Sequence, residues 1–194
     1  HAPTVAGMAV MVGKGAMTNS IEELAGTDFL LVAGSNTTEA HPVIGFEIKK
    51  AVRKGTKLIV ANPREIELVR HADVWLRHRP GTDVALLMGL CRVIVDEGLV
   101  DASFIAERTE NFDSFKESLQ NFDLDSVAQT TGVPRKKIDE AARLYATNAP
   151  AAIFYAMGIA QHSHGTDNVI AVANLAMLTG NIGQPGSGVN PLRG

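Results

Sequence analysis

The chain has 194 residues, of which 45% are hydrophobic and 20% charged, and this composition is that of a globular domain large enough to bury its own core. Its net charge of −3 gives no reason to expect nucleic acid or an anionic membrane as a partner. The single cysteine, Cys91, lies in an apolar helical run and is predicted to be buried and inert. One cysteine cannot form an internal disulfide, and this chain alone cannot hold an iron–sulfur cluster.

The first 17 residues are rich in glycine, alanine and methionine and have no clear hydrophobic period, which predicts a loop with a short helix. The chain opens on His1 rather than on methionine, so we expect either a processed protein or a piece of a longer one. No signal peptide is recognised, and Arg92 interrupts the longest apolar run. We therefore expect no transmembrane helix and no membrane contact by this chain.

The most strongly patterned stretch of the chain predicts a strand, a polar turn, a helix and a second strand. The apolar run Phe29–Ala33 is typical of a strand that is covered on both faces. Gly34 ends this run, Pro42 suits the first turn of a helix, and Gly55 ends that helix. Leu58–Ala61 is the second buried strand. Such a unit predicts a right-handed crossover between parallel strands, with ligands beyond their carboxyl ends.

Later segments continue the alternation of strands and helices. Val74–Leu76 predicts a third strand with Trp75 in the core, and a turn ending at Asp83 precedes the predicted helix Val84–Glu97. The other predicted elements are a helical insertion at about 101–148, a strand at 151–155, a helix at 168–178 and a glycine-rich loop from 180 onward. The sequence thus predicts one α/β domain over residues 1–194, with a Rossmann-like parallel sheet, helices on both faces and a helical insertion.

A nucleotide-type crevice is predicted where the first two strands end. Residues 35–38 (SNTT) offer hydrogen-bond donors at a helix N-terminus, which favours an anion. Either Glu39 or Asn62 is placed to accept a hydrogen bond from a ribose hydroxyl, and Arg64 is placed to pair with a phosphate. The motif G-x-G-x-x-G is absent, since only Gly34 is present. We therefore expect a nucleotide that is held differently from NAD.

Several polar residues have two interpretations from the sequence. Asp83 fits either a helix cap or an acceptor for the amino groups of guanine, and the residues alone favour the cap. His162 and His164 invite a metal site, but two loop histidines without a nearby third ligand seldom form one, so none is predicted. The remaining internal histidines are predicted to be surface or hydrogen-bonded loop residues: His41, His71 and His78.

Eight segments of the chain, taken in order, resemble those of the molybdopterin oxidoreductases, and within them the catalytic subunits of formate dehydrogenases. The segments are HAPTVAG (1–7), GKGAMTN (13–19), GSNTTEAHP (34–42), NPR (62–64), GTD (81–83), MGIAQ (157–161), LTGNIG (178–183) and VNPLRG (189–194). The resemblance covers essentially all 194 residues. Its most specific parts are the leading histidine and the closing VNPLRG.

The resemblance implies a bis-molybdopterin guanine dinucleotide cofactor that carries molybdenum or tungsten. It implies that His1 is the active-site histidine and that Arg193 is the arginine that faces formate. Both roles suit the side chains, because an imidazole can exchange a proton and a planar guanidinium can pair with a carboxylate. One guanosine diphosphate arm would contact Gly34, Asn36, Glu39, Asn62, Arg64, Gly81 and Asp83. The pterin side would contact Met157, Gly158 and Gln161. Asn62 departs from the pattern, because many family members have aspartate there.

The same resemblance implies a parent subunit of which this chain is an internal domain. The domain would start directly after the cysteine or selenocysteine that binds the metal, with a 4Fe–4S cluster elsewhere in the parent. Expected partners are formate, the rest of the catalytic subunit and electron-transfer subunits, and the isolated chain is expected to be inactive. We expect a cytoplasmic parent, or a periplasmic one if an export signal lies upstream. The alternatives are a stand-alone nucleotide-binding module and a different molybdopterin oxidoreductase.

Overall fold

The structure is a computed structural model, and it describes residues 2–193. Its centre is a sheet of five parallel strands in the order β3-β2-β1-β4-β5. The strands are β1 (Phe29–Ala33), β2 (Lys57–Ala61), β3 (Val74–Leu76), β4 (Ala151–Tyr155) and β5 (Gly188–Pro191). The predicted Rossmann-like parallel sheet is therefore confirmed. The strand order reverses direction between β1 and β4, which is where ligands bind in open sheets of this class.

Helices connect all the strands. The α-helices are α1 (Ala2–Val12), α2 (Thr37–Ala40), α3 (Pro42–Arg53), α4 (Asp83–Asp96), α5 (Ala102–Arg108), α6 (Phe112–Ser118), α7 (Leu124–Thr131), α8 (Arg135–Thr147), α9 (Met157–Ala160) and α10 (Gly165–Leu178). Short 3-10 helices are present at Ile21–Gly26, Glu67–His71 and Leu119–Asn121. Within residues 2–193, no helix combines the length and apolar character needed to cross a membrane.

The two faces of the sheet are covered by different helices, which explains the continuous apolar strands. In β1, Leu30 and Val32 pack with α3 and with the 3-10 helices that flank it in sequence. Phe29, Leu31 and Ala33 point to the other face, where α1, α4, α8 and α10 form the larger core. Every residue of β1 is therefore buried, as a strand between two helical layers requires. The predicted helices on both faces are confirmed.

Cys91 lies in α4 with its side chain fully buried in the larger core. Burial raises the pKa of the Cys91 thiol, because the thiolate would lose its hydration there. The low fraction of thiolate and the lack of solvent access both suppress reactivity. The predicted burial of Cys91 is confirmed, and its inertness stays a prediction.

Two segments are more regular than the sequence predicts. Residues 2–12 form a continuous helix that packs closely against α10. Gly7 permits this close approach, because a Cβ at this position would lie 2.7 Å from Val169 Cγ1. Residues 188–191 form β5 inside the predicted glycine-rich loop. The backbone of Val189 exchanges hydrogen bonds with Thr18, while β5 pairs with β4 on its other side. Both elements depend on tertiary contacts, which hydrophobic period does not reveal.

Candidate functional site

A cavity of about 260 Å³ opens at the carboxyl ends of β1, β2 and β3, beside the point where the strand order reverses. It gathers five of the residues predicted for the guanosine diphosphate arm, together with one predicted for the pterin side: Gly34, Asn36, Asn62, Arg64 and Asp83, and Gly158. We call this cavity the nucleotide crevice. Its residues come from four separate loops, and the parallel sheet brings them together because all its strands end at the same edge.

The floor of the crevice is a direct contact between two glycine backbones. The Gly158 N–H donates to the Gly34 carbonyl oxygen at 2.9 Å, and the Gly34 N–H donates to the Ala61 carbonyl at 3.0 Å. Gly34 has φ +55°, and a Cβ on it would lie 2.7 Å from the Gly158 carbonyl carbon. A Cβ on Gly158 would lie 2.6 Å from the Gly34 oxygen. The two loops can meet only because both residues lack side chains.

Asn62 shapes the crevice wall after β2 and is itself held by Trp75. The Asn62 Oδ1 accepts a hydrogen bond from the Arg64 N–H at 2.9 Å, which forms a tight turn. The Trp75 indole N–H donates to the Asn62 carbonyl at 2.9 Å. Trp75 is half-buried, and it therefore supports both the core and the site. Asn62 is 7% exposed. Its contact with a ribose remains a prediction, as does the pairing of Arg64 with a phosphate.

Asp83 does not cap α4, contrary to the interpretation that the residues alone favour. It is the first residue of the helix, so the N-cap position belongs to Thr82, whose side chain makes no capping hydrogen bond. The Asp83 Oδ1 instead lies 2.8 Å from His78 Nε2, with both residues 4% exposed. The Thr82 hydroxyl donates to the Arg79 carbonyl at 2.7 Å. The carboxylate is therefore directed into the crevice loop rather than at the helix backbone.

Three predicted residues lie away from the nucleotide crevice, and a fourth is elsewhere on the surface. Gly81 lines a neighbouring cavity, while Met157 and Gln161 line the cavity that contains Arg193. Glu39 is exposed on α2 and lines none of these three cavities. The roles assigned to these four residues by resemblance remain predictions.

Two histidines of the crevice were not predicted as site residues. His78 lies two residues beyond β3, and His162 Nε2 lies 2.7 Å from the Gly158 carbonyl oxygen. The position of His78 directly after a strand end was a usable signal, because ligands gather at that edge. Among residues 2–193, no three histidine, cysteine, aspartate or glutamate side chains are grouped as metal ligands.

The second relevant cavity, of about 230 Å³, lies at the carboxyl ends of β4 and β5. We call it the arginine cavity, and its lining includes Thr4, Tyr155, Met157, Gln161, Leu192 and Arg193. The Arg193 guanidinium donates to the Gly15 carbonyl, and the Arg193 carbonyl lies 3.1 Å from His41 Nε2. The Leu192 N–H donates to the Tyr155 carbonyl at 2.7 Å, which continues the pairing of β5 with β4. The arginine is thus fixed by the sheet edge.

Tyr155 is the buried titratable group of the arginine cavity. Burial raises the pKa of its phenol, and Thr4 and the positive charge of Arg193 oppose part of that rise. Its hydroxyl makes no hydrogen bond to the residues that the structure describes. The predicted catalytic histidine, His1, lies outside the described residues, so its role remains a prediction.

Comparison with known proteins identifies relatives over the whole chain. The family described as "Molybdopterin oxidoreductase" matches residues 3–193. The F420-dependent formate dehydrogenase 2 subunit alpha of Methanococcus maripaludis is 46% identical over 194 residues, which cover 100% of this chain and 29% of the relative. Formate dehydrogenase H of Escherichia coli is 42% identical over 100% of this chain and 27% of its own length.

A solved structure has the same fold. Acetylene hydratase from Pelobacter acetylenicus superposes with a TM-score of 0.87 and 31% sequence identity, over 96% of this chain and 25% of that one. The chain therefore spans less than a third of the length of the curated relatives and of the solved structure named here.

Proposed function

The chain belongs to the molybdopterin oxidoreductase family, and we propose that it is the domain of a formate dehydrogenase catalytic subunit that binds one arm of the cofactor. The observation that carries this proposal is the nucleotide crevice, in which five residues predicted for a guanosine diphosphate line one cavity. The arginine cavity adds support, because it groups Arg193 with two residues predicted for the pterin side. Identities of 42–46% to formate dehydrogenase subunits favour formate as the substrate of the parent.

The residues of the crevice fit a guanosine diphosphate. The paired backbones of Gly34 and Gly158 leave no side chain over the crevice floor, so a ligand can approach the peptide groups closely. Arg64 forms no ion pair with any described residue and offers a guanidinium to a phosphate. The buried carboxylate of Asp83 offers an acceptor to the N–H groups of guanine. The cofactor of the proposal is the bis-molybdopterin guanine dinucleotide, with molybdenum or tungsten.

In the proposed reaction this chain binds and orients formate. The Arg193 guanidinium is a planar fork that pairs with a carboxylate and stays charged at any working pH. Its hydrogen bond to the Gly15 carbonyl fixes the plane of the fork and leaves other N–H groups for the substrate. Histidine side chains exchange protons near neutral pH, so His1 would hold or accept a proton at its imidazole. The metal–pterin group, when bound, supplies the two-electron redox chemistry.

The proposal places this chain within a larger subunit. The remainder of the subunit would provide the metal ligand, either cysteine or selenocysteine, together with the second cofactor-binding half and a 4Fe–4S cluster. Electron-transfer subunits would accept the electrons. We propose a cytoplasmic location, which an export signal ahead of this chain would change. The match to only 27–29% of the curated relatives supports a domain of a longer subunit.

A different molybdopterin oxidoreductase is the second candidate, and one observation favours it. The solved structure of acetylene hydratase shares the fold with a TM-score of 0.87, so this fold hosts more than one reaction. The sequence identity to it, 31%, is lower than the 42–46% found for formate dehydrogenases. Formate therefore remains the preferred substrate, and acetylene is the comparison substrate for the test.

Kinetics of the intact subunit test the proposal. Arg193→Ala is expected to raise the KM for formate and lower kcat/KM by at least about a hundredfold, because a charge-assisted bidentate pair is lost. The exposed Arg53→Ala on α3 is the matched control and should leave both constants unchanged. Cofactor content, measured as released GMP and bound metal, should be equal in both variants. Unaltered formate kinetics in Arg193→Ala would refute the assignment of this arginine.

A further inference from the structure

His78 is a buried group that the proposed function leaves without a role. It lies two residues beyond β3, it is 4% exposed, and its ring lines the nucleotide crevice. Its Nε2 lies 2.8 Å from the Oδ1 of Asp83, which is also 4% exposed. The two residues stand on either side of the turn between β3 and α4. Among residues 2–193, this is the only contact between a basic and an acidic side chain in which both side chains are almost completely buried.

We propose that His78 is a positioning residue that holds the Asp83 carboxylate in the orientation that selects guanine over adenine in the nucleotide crevice. This inference rests on the proposed function, and it assigns a role to a residue that the resemblance does not mark.

The hydrogen bond from His78 leaves one oxygen of Asp83 available to a ligand. A carboxylate only accepts hydrogen bonds, so His78 Nε2 carries the proton and donates it to Oδ1. The other oxygen, Oδ2, has no hydrogen-bond partner among the described residues, and Asp83 lines the crevice. A carboxylate buried this far is costly without a partner. His78 therefore supplies the internal partner, and Oδ2 is the atom presented to the ligand.

The loop that carries His78 is fixed from behind, so the imidazole is held in place. Its Nδ1 lies 3.3 Å from the Leu76 carbonyl oxygen, and its backbone N–H donates to the same oxygen at 3.1 Å. The next residue, Arg79, donates from its backbone to Thr131 at 2.8 Å and from its guanidinium to Gln129 at 2.6 Å, at the end of α7. These backbone contacts hold the turn, and with it the imidazole, beside Asp83. The carboxylate is consequently oriented before any ligand arrives.

A fixed carboxylate oxygen discriminates between the purines by chemistry. Guanine presents two adjacent donors, N1–H and the N2 amino group, whereas adenine presents an amino group beside the unprotonated N1. Adenine N1 would face the lone pairs of Oδ2, which is repulsive. Hydrogen bonds to charged groups are worth about tenfold to a hundredfold in affinity. Losing the orientation of Asp83 should therefore lower guanine affinity and leave adenine affinity nearly unchanged.

The test is a titration of the 194-residue chain with GDP and, separately, with ADP. Binding is monitored by NMR chemical shifts at ligand concentrations up to the millimolar range, so that weak binding is measured. The variants are His78→Leu, which removes the donor, and His78→Gln, whose amide keeps one. His71→Leu is the matched control, because His71 is exposed and lies outside the crevice. Thermal unfolding of each variant verifies the fold. If His78→Leu does not fold, His78→Asn replaces it, since its shorter amide remains polar but is too short to bridge to Oδ1.

We expect wild type to prefer GDP, and His78→Leu to bind GDP at least about tenfold more weakly with ADP affinity changed less than about twofold. His78→Gln should retain most of the preference, and the His71→Leu control should equal wild type. Wild-type GDP affinity in His78→Leu, or in its Asn replacement, would overturn the role of His78 while leaving the crevice intact. An equal affinity of wild type for GDP and ADP would instead overturn the guanine site itself, and this inference with it.

Discussion

Replacing Gly158 with alanine tests whether the contact of two glycine backbones forms the crevice floor. The added Cβ would lie 2.6 Å from the Gly34 carbonyl oxygen and 2.7 Å from the Gly34 Cα. Both neighbours are backbone atoms, so neither can rotate away, and the two loops must separate. Separation would also lengthen the 2.9 Å hydrogen bond from Gly158 to Gly34. Overpacking of this kind costs about 1–3 kcal/mol of the free energy of unfolding.

The expected result is a lower melting temperature together with weaker GDP binding. For a chain of this length, 2 kcal/mol corresponds to a decrease of about 4–8 °C. The assay is thermal unfolding followed by circular dichroism, with GDP affinity measured on the same samples. The matched control is Gly26→Ala, because a Cβ there has no atom within 4 Å, and its melting temperature should change by no more than about 2 °C. Equal melting temperatures for the two variants would refute the reasoning.

Two further predictions concern the scaffold. Cys91 should react with a thiol reagent only after unfolding, because its side chain is fully buried and burial raises the pKa of its thiol. If the native chain is labelled as fast as the denatured chain, this prediction is wrong. The second prediction concerns Asp101, which caps α5 by accepting a hydrogen bond from the Phe104 N–H at 2.9 Å. This hydrogen bond is the largest cause of the lowering of the Asp101 pKa below its ordinary value of 3.8. The stabilisation is therefore present above pH 3.8 and is lost as the pH falls through the lowered value. Asp101→Ala should cost about 1 kcal/mol at pH 7 and less at pH 2, as measured by denaturant unfolding, and an equal cost at both pH values would contradict the assignment.

Local patterns in the sequence were sufficient for most of the sheet. The run Phe29–Ala33 predicts a strand covered on both faces, and the structure has β1 at these residues. Pro42 predicts the start of α3, which begins there because proline needs no helical partner for its nitrogen. Each of these signals depends on neighbouring residues alone. Because these signals place the carboxyl ends of β1 and β2, they also predict where the crevice lies.

Other features could not be predicted because they depend on distant parts of the chain. Residues 188–191 contain too few apolar side chains for a strand pattern, and β5 forms because β4 offers its free edge. The sequence favours Asp83 as a helix cap, yet its carboxylate pairs with His78. Spacing does not reveal that pair, because the intervening turn decides which way each side chain points.

The sequence by itself determined the positions of β1 to β4 and of the helices α3, α4 and α10, since hydrophobic period and helix-terminating residues act over a few positions. It also determined the loops that follow β1 and β2, and hence the crevice residues Gly34 and Asn36 and the crevice segment 62–64. Only the tertiary structure decided that Gly34 meets Gly158 and that Asp83 turns toward His78. Those contacts arise when separate segments pack against one sheet edge, and the free energy of a contact between segments is not encoded in either segment alone.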